Sequence, residues 1–132
     1  MVLVDTHVLV DVLQDDPQWA DWSIGQLRAQ SSVHPLVINP VIYAELSLSY
    51  STFEALNKVL ATMQLVLLEL PRPALFLAGK AFAQYRKRGG SKHQVLPDFF
   101  IGAHAAVLGC SLLTRDAARF RTYFPTLQVL AP

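Results

Sequence analysis

Short continuous runs of apolar residues alternate along the chain with longer stretches in which apolar and polar residues are mixed. The short runs predict strands at Met1–Val4, Pro35–Ile38, Leu65–Leu70, Ser111–Thr114 and Leu127–Leu130. The longer stretches predict helices at His7–Leu13, Pro17–Gln30, Pro40–Ser49, Thr52–Met63, Pro73–Lys87 and Leu96–Leu108. Strands that alternate with helices favour right-handed crossovers. The pattern therefore predicts an α/β fold, a three-layer α/β/α domain with a central, mainly parallel sheet of four to five strands.

Capping residues place several of the helix ends. Thr6 is expected to cap the first helix, and Asn39 followed by Pro40 is a clear helix start. Gly109 is expected to end the helix that starts at Leu96. No internal repeat, low-complexity tract or long linker divides the chain, so residues 1–132 are expected to form one domain.

Composition excludes several classes of protein. The 132 residues are 52% hydrophobic and only 16% charged, which excludes a disordered chain. No apolar run approaches the roughly 18 residues that a membrane-spanning helix needs, and the start of the chain lacks the basic region of a signal peptide. The lone cysteine, Cys110, excludes an internal disulfide and a cysteine-based zinc site. We therefore expect a cytoplasmic protein without a membrane partner.

The net charge of +1 is the sum of two unlike halves. Residues 1–69 carry eight acidic and two basic side chains, a net charge of −6, whereas residues 70–132 carry nine basic and two acidic ones, a net charge of +7. Such an asymmetry is a weak indication of a polyanionic partner.

Four carboxylates stand beside apolar segments. Asp5 directly follows the first predicted strand, and Asp116 comes two residues after the fourth. The carboxyl ends of parallel strands share one ligand-binding edge of a sheet, so both acids are expected to face one crevice. Glu45 lies beside the apolar stripe of its helix, and Asp98 opens the most apolar helix of the chain.

Each acid also has a purely structural interpretation. Asp5, Asp98 and Asp116 could cap helices, and Glu45 could pair with a buried arginine. Four acids near one crevice, however, need cations to offset the cost of burying their charges. Oxygen ligands without a cysteine cluster favour Mg²⁺ or Mn²⁺. Such ions are typical of enzymes that hydrolyse phosphodiester bonds.

Four short segments containing these acids occur in an order that resembles a known family. They are Val2-Leu3-Val4-Asp5-Thr6-His7-Val8-Leu9, Asn39-Pro40-Val41-Ile42-Tyr43-Ala44-Glu45-Leu46, Leu96-Pro97-Asp98-Phe99-Phe100-Ile101-Gly102-Ala103-His104-Ala105 and Leu112-Leu113-Thr114-Arg115-Asp116. Taken together, they resemble the PIN-domain ribonucleases, and specifically the VapC toxins of bacterial toxin–antitoxin pairs. The resemblance covers essentially the whole chain.

The resemblance implies a function and a set of site residues. It implies that Asp5, Glu45, Asp98 and Asp116 hold Mg²⁺ or Mn²⁺ and catalyse the cleavage of single-stranded RNA. Hydroxyl residues often accompany the first and last acids in that family, and Thr6 and Thr114 fit as contacts to a metal-bound water or a phosphate. It also implies a homodimer and a small cognate antitoxin whose tail blocks the active site.

A basic, glycine-containing segment precedes the Asp98 helix. Its side chains could be a solvated helix end or a rim that grips RNA phosphates, and we interpret Arg86, Lys87, Arg88, Lys92 and Arg115 as candidate RNA-binding residues. His7 and His104 each lie one turn from a candidate acid, but packing within an apolar helix is the favoured interpretation of both.

Three other functions compete with metal-dependent RNA cleavage. A phosphatase with an Asp nucleophile needs a second Asp two positions after Asp5, where this chain has His7. A receiver domain needs a phosphoacceptor Asp at the end of the third strand, where Leu70-Pro71 stands instead. A catalytically silent PIN domain that binds RNA or protein is the alternative that the sequence leaves open.

Overall fold

The computed structural model describes all 132 residues and contains five strands and seven α-helices. In chain order they are β1 (Val2–Val4), α1 (Thr6–Leu13), α2 (Ala20–Ser31), β2 (Leu36–Ile38), α3 (Pro40–Ser47), α4 (Phe53–Thr62), β3 (Val66–Leu67), α5 (Arg72–Lys87), α6 (Leu96–Leu108), β4 (Ser111–Leu113), α7 (Ala118–Tyr123) and β5 (Val129–Leu130). A short 3₁₀ turn at His93–Val95 precedes α6. None of the helices combines the length and the hydropathy needed to cross a bilayer.

The five strands form one parallel sheet in the order β3-β2-β1-β4-β5. The chain builds outward from β1 through β2 to β3, and then returns to the other side of β1 with β4. The strand order therefore reverses between β1 and β4, which is where α/β sheets bind ligands, outside the carboxyl ends of the strands. The predicted parallel α/β architecture is confirmed.

The edges of the sheet are shorter than the apolar runs predict. The run Leu65–Leu70 contributes only Val66 and Leu67 to β3, and both side chains are about half exposed because β3 has a neighbour on one side only. The residues of this segment outside Val66 and Leu67 do not pair with β2, so the apolar segment is longer than the strand.

Four helix starts differ from the sequence expectation, those of α1, α4 and α5 by a single residue and that of α2 by three. The second helix begins at Ala20 and not at Pro17, because the Asp16 carboxylate accepts hydrogen bonds from the backbone amides of Gln18 and Trp19 and holds that segment as a turn. In α1, Thr6 is the first helical residue and Asp5 is the cap.

An aromatic cluster fixes the three helices on one side of the candidate site. Rings from α5, α6 and α7 and from the residue after α7 contact one another with centroids 5.3 to 6.3 Å apart; they are Phe82, Tyr85, Phe99, Tyr123 and Phe124. Gly102 lets α6 approach these rings, because a Cβ there would come within 2.4 Å of Phe124. The predicted end of α6 at Gly109 is confirmed by its left-handed conformation, φ 67°.

Candidate active site

Asp5 occupies the switch point of the sheet. It follows β1 directly and is only 4% exposed. Its Oδ1 accepts a hydrogen bond from the backbone N–H of Thr6 at 2.8 Å, so Asp5 caps α1 in place of the expected Thr6. Its extended backbone, with φ −65° and ψ 147°, is the conformation of an N-cap. The carboxylate is thus fixed by the helix that it starts.

Thr114 holds the other oxygen of Asp5. It follows β4, is fully buried, and donates from Oγ1 to Asp5 Oδ2 at 2.7 Å. The same Oγ1 accepts from the backbone N–H of Asp116 at 3.2 Å. Because β1 and β4 are adjacent and parallel, this bond joins residues that are 109 positions apart in sequence.

Thr6 connects this pair to the third helix. Its Oγ1 donates to Glu45 Oε1 at 2.7 Å. Asn39 positions α3, since its Oδ1 accepts from the backbone N–H of Ile42 at 3.0 Å, and its Nδ2 lies 3.3 Å from Nδ1 of the buried His104. The two threonine hydroxyls therefore donate to two of the candidate acids and orient them.

Asp98 is paired with an arginine that no sequence pattern links to it. It lies in the first turn of α6, and its Oδ2 accepts from Arg119 Nη1 of α7 at 2.6 Å. The side chains of Arg119 and Asp98 are 27% and 30% exposed, respectively. No spacing rule joins positions 98 and 119, which meet only because the aromatic cluster brings α6 and α7 together.

Asp5, Glu45 and Asp98 influence one another electrostatically. Burial raises the pKa of Asp5 to about 6; the Thr114 hydrogen bond opposes this shift, the charge of Asp98 adds to it, and His7 opposes it. Burial also raises the pKa of Asp98, against the hydrogen bond and charge of Arg119, and the charge of Glu45 adds to that increase. The three carboxylates are therefore near enough to affect one another, and their protein neighbours compensate their negative charge only in part.

Asp116 has no side-chain contact with these three acids. It is exposed, and its carboxylate makes no hydrogen bond or ion pair, although its backbone is held by Thr114. It does not cap α7, whose N-cap is Ala117 without a side-chain bond. In this conformation no three acidic, histidine or cysteine side chains are close enough together to hold a metal ion. The structure thus places Asp5 against Thr114, Glu45 against Thr6 and Asp98 against Arg119, and leaves the carboxylate of Asp116 exposed on the loop after β4.

The grouped side chains nevertheless fit a hard divalent cation. The atoms of these side chains that could coordinate a metal ion are carboxylate oxygens, the ligands that Mg²⁺ and Mn²⁺ prefer. The raised pKa of Asp5 reports buried negative charge that such an ion would compensate. Arg119 supplies one positive charge at Asp98 and is the only basic side chain ion-paired with the group.

The candidate RNA-binding residues divide into two kinds. Arg86 and Lys87 at the end of α5, and Arg88 and Lys92 beyond it, are exposed, and Arg88 lies over the ring of Tyr123 at 5.3 Å. Arg115 differs from them, because a buried carboxylate on α1 holds its guanidinium.

That carboxylate belongs to Asp11, a buried acid whose role the sequence does not reveal. It is 2% exposed, lies 3.4 Å from Nη2 of Arg115, and accepts from Ser23 at 3.0 Å. The guanidinium of Arg115 also lies over the ring of Trp19 at 5.3 Å. Arg115 therefore ties the loop after β4 to α1 and to the segment that leads into α2. The only sequence signal for Asp11 is a charged residue within the apolar α1, which does not by itself identify a partner.

The two histidines lie in different environments. His104 is completely buried, as its apolar helix predicts, and burial lowers its pKa. His7 is exposed at the crevice, so the expectation of a packed histidine was wrong there, because α1 turns this side chain away from the core.

Comparison with known proteins agrees with this architecture. The family model of the PIN domain matches residues 2–124. No curated protein sequence gives a significant match.

Several solved structures match nearly the full length of the chain. A chain of VapBC2 from Rickettsia felis, bound to a DNA fragment from their promoter, is 18% identical, with a TM-score of 0.76 and coverage of 100% of this chain and 99% of that one. VapBC-1 from nontypeable Haemophilus influenzae gives 21% identity, a TM-score of 0.70 and coverage of 99% and 98%. A chain of a toxin–antitoxin complex from Klebsiella pneumoniae is 18% identical, with a TM-score of 0.68 and coverage of 98% of this chain and 96% of that one. At these identities the likeness shows a shared fold.

Proposed function

The chain belongs to the PIN-domain family, and from this premise we propose that it is a Mg²⁺- or Mn²⁺-dependent endoribonuclease that hydrolyses phosphodiester bonds of RNA. One observation carries the proposal. The buried carboxylate of Asp5 is held by Thr114 and the start of α1 at the switch point of the sheet, beside Asp98 and Glu45. A structural cap needs neither this burial nor two neighbouring carboxylates.

All four candidate acids would coordinate the cation. Asp5, Glu45 and Asp98 would hold it from the crevice, and Asp116 would join them from the loop that Thr114 anchors. When bound, such a cation lowers the pKa of a water molecule and stabilises negative charge on the phosphate oxygens. Asp5 is mainly ionised above pH 6, so the site is ready for a cation at neutral pH.

The hydroxyl and basic residues have separate roles. Thr6 and Thr114 donate to Glu45 and Asp5 and keep both carboxylates oriented, and each hydroxyl oxygen can still accept a hydrogen bond from a metal-bound water. A contact to a phosphate would require the hydroxyl to donate to the phosphate in place of the carboxylate. The exposed basic side chains beside α6 bind RNA phosphates without sequence preference; they are Arg86, Lys87, Arg88 and Lys92. Arg115 supports the Asp116 loop through Asp11 and is at most a secondary RNA contact.

The solved relatives suggest the biological setting. They include toxin–antitoxin complexes, and we propose that this chain is the cytoplasmic toxin of such a pair, with a small cognate antitoxin protein as its partner and a homodimer as its assembly. These assignments depend on the resemblance and are separate from the chemistry of the site.

A second candidate function is a catalytically silent PIN domain that binds RNA or protein. Two observations favour it: no three candidate ligands lie close enough together to hold a metal ion, and Arg119 is already ion-paired with Asp98. The two candidates differ in one measurable property, which is metal-dependent cleavage of RNA.

The test compares RNA cleavage by the wild type, Asp5→Asn and Asp98→Asn in Mg²⁺, in Mn²⁺ and in EDTA. We expect metal-dependent cleavage by the wild type and background levels for both variants, because each loses a charged oxygen ligand. Asp21→Asn is the matched control, since Asp21 is an exposed acid on α2 that should not affect cleavage. Absence of cleavage by a folded wild type on several RNAs would favour the silent alternative, and equal cleavage by all four proteins would show that Asp5 and Asp98 do not catalyse it.

A further inference from the structure

Arg119 provides the only basic side chain that is ion-paired with the candidate acids. Its Nη1 lies 2.6 Å from Asp98 Oδ2, and both side chains are more than two-thirds buried. The bond uses one nitrogen of the guanidinium and one oxygen of the carboxylate. The remaining N–H groups of Arg119 therefore have no partner among the acids, and Asp98 Oδ1 is not occupied by this bond.

We propose that Arg119 is a built-in counter-ion that a divalent cation displaces from Asp98, and that the released guanidinium then binds a phosphate of the RNA. This inference rests on the proposed function, because it concerns the same site. It assigns Arg119 two successive partners, the Asp98 carboxylate before the metal binds and a phosphate afterwards.

Displacement follows from the charges in the crevice. A divalent cation drawn to Asp5, Glu45 and Asp98 would come close to the guanidinium that now contacts Asp98. The two positive groups repel each other, and the effect is strong where water is partly excluded. The bond to Asp98 is a single hydrogen bond from a long side chain, so rotation about the Arg119 side-chain bonds is enough to release it.

The released guanidinium is well suited to a phosphate. Its planar fork of N–H donors matches two phosphate oxygens at once, whereas it contacts Asp98 through one nitrogen only. Arg115, four residues earlier, cannot take this role in the same way, because its guanidinium is engaged by Asp11 and by the ring of Trp19. Arg119 is therefore the arginine of this segment that metal binding can redirect.

The first experiment measures Mn²⁺ binding by the electron paramagnetic resonance signal of free Mn²⁺. We expect Arg119→Gln to bind Mn²⁺ several-fold more tightly than the wild type, because no guanidinium competes for Asp98. Arg119→Lys keeps the positive charge and should bind like the wild type. Arg121→Gln removes an exposed arginine from the same helix that has no ion pair, and it should also match the wild type.

The comparison between the two glutamine variants decides the outcome. Equal or weaker Mn²⁺ binding by a folded Arg119→Gln would overturn the proposal, as would an equal gain in Arg121→Gln, which would show a general charge effect. If the wild type binds no Mn²⁺, the cation does not displace Arg119 from Asp98, and the proposal is overturned whatever Arg119→Gln binds. Failure of the proposed function, in contrast, appears as absent RNA cleavage.

The second experiment tests the phosphate contact with a fluorescein-labelled single-stranded oligouridine, in EDTA and in saturating Ca²⁺, which replaces Mn²⁺ to slow cleavage. In EDTA, Arg119 is engaged by Asp98, so Arg119→Gln should bind the RNA as the wild type does. In Ca²⁺ it should bind several-fold more weakly. An equal affinity of both proteins in Ca²⁺, or the same loss in both solutions, would overturn the second half of the proposal.

Discussion

The candidate site has two halves that are built by different means. The inner half consists of Asp5, Thr6 and Thr114 with Glu45, which hydrogen bonds of 2.7 to 2.8 Å join across β1, β4, α1 and α3. The outer half consists of three side chains on α6, α7 and the loop between β4 and α7, namely Asp98, Arg119 and Asp116. In the outer half one ion pair is the only bond between side chains, and Asp116 is exposed.

The two halves differ in what fixes the positions of their side chains. The inner half is fixed by the sheet itself, since the register of β1 and β4 determines where Asp5 and Thr114 meet. The outer half depends on side chains that can exchange partners. The inner half is therefore expected to be preorganised at a cost in folding stability. The side chains of the outer half are expected to change partners when a ligand binds.

The largest effect is expected on folding stability, because burying the charged carboxylate of Asp5 in the inner half destabilises the folded protein. Asp5→Asn should raise the free energy of unfolding of the metal-free protein at pH 7 by about 3 kcal/mol, because the pKa of Asp5 is about 6 in the folded chain against 3.8 for the ordinary carboxyl. Asparagine keeps an oxygen that can accept the Thr6 amide. Urea unfolding in EDTA at pH 4, 5, 6 and 7 measures the difference between the two proteins.

The sign of the pH dependence checks the cause. Between the unfolded pKa of 3.8 and the folded pKa of about 6, the folded chain binds more protons at Asp5 than the unfolded chain does. The stability of the wild type should therefore fall as the pH rises through this window, and the advantage of Asp5→Asn should vanish near pH 4. The exposed Asp21→Asn serves as the control and should show no such dependence. A variant less stable than the wild type at pH 7 would show that the bonds from Thr6 and Thr114 outweigh the burial.

The sequence predicts the inner half better than the outer half, for a physical reason. Strand ends follow from short apolar runs, and parallel strands share an edge, so the sequence alone predicts Asp5 and Asp116 at the same edge of the sheet. In the structure it is Thr114, at the end of the predicted fourth strand, that contacts Asp5. It does not predict the direction of their bonds, nor that Asp5 caps α1 in place of Thr6. These details depend on how the backbone conformation orients the two carboxylate oxygens of Asp5 toward the Thr6 amide and the Thr114 hydroxyl.

The outer half depends on contacts that no local pattern encodes. Arg119 meets Asp98 across 21 residues because rings of α5, α6 and α7 pack together, and neither position has a periodic relation to the other. Arg115 was expected on the RNA-facing surface, yet its partner is Asp11 on α1. Charged residues of this kind can be recognised as unusual from the sequence, but their partners follow only from the packing of whole helices.

An intermediate effect is expected at Gly102, where α6 carries the outer half against α7. Gly102→Ala should destabilise the protein by about 1–3 kcal/mol, because the new methyl group would lie 2.4 Å from the ring of Phe124 and 3.1 Å from that of Phe120. The change should disturb the position of Arg119 relative to Asp98 and leave the bond between Asp5 and Thr114 in place. Urea unfolding measures the loss, and the pKa of Asp5 from carbon NMR should stay at about 6.

Gly79→Ala on α5 is the matched control. It also replaces a helical glycine, but a Cβ there has open space around it. Because alanine favours helix over glycine, this variant should gain about 0.5–1 kcal/mol. If Gly102→Ala were also stabilising, the rings of Phe120 and Phe124 would not pack closely against α6, and the ion pair of the outer half would lose its geometric basis.

The smallest effect is expected from the ion pair itself. Arg119→Gln should change the free energy of unfolding in EDTA by only about 0.2–1 kcal/mol, because the partners are 27% and 30% exposed and a pair near solvent contributes little after screening. The difference should shrink further as NaCl is added. Arg115→Gln is the informative comparison, since it leaves the 2% exposed Asp11 without its cation and should cost more. Both are measured by urea unfolding at low and high salt. A loss above about 2 kcal/mol in Arg119→Gln would make Arg119 a structural residue as firmly fixed as the inner half, and would leave no low-cost release for a metal ion to exploit.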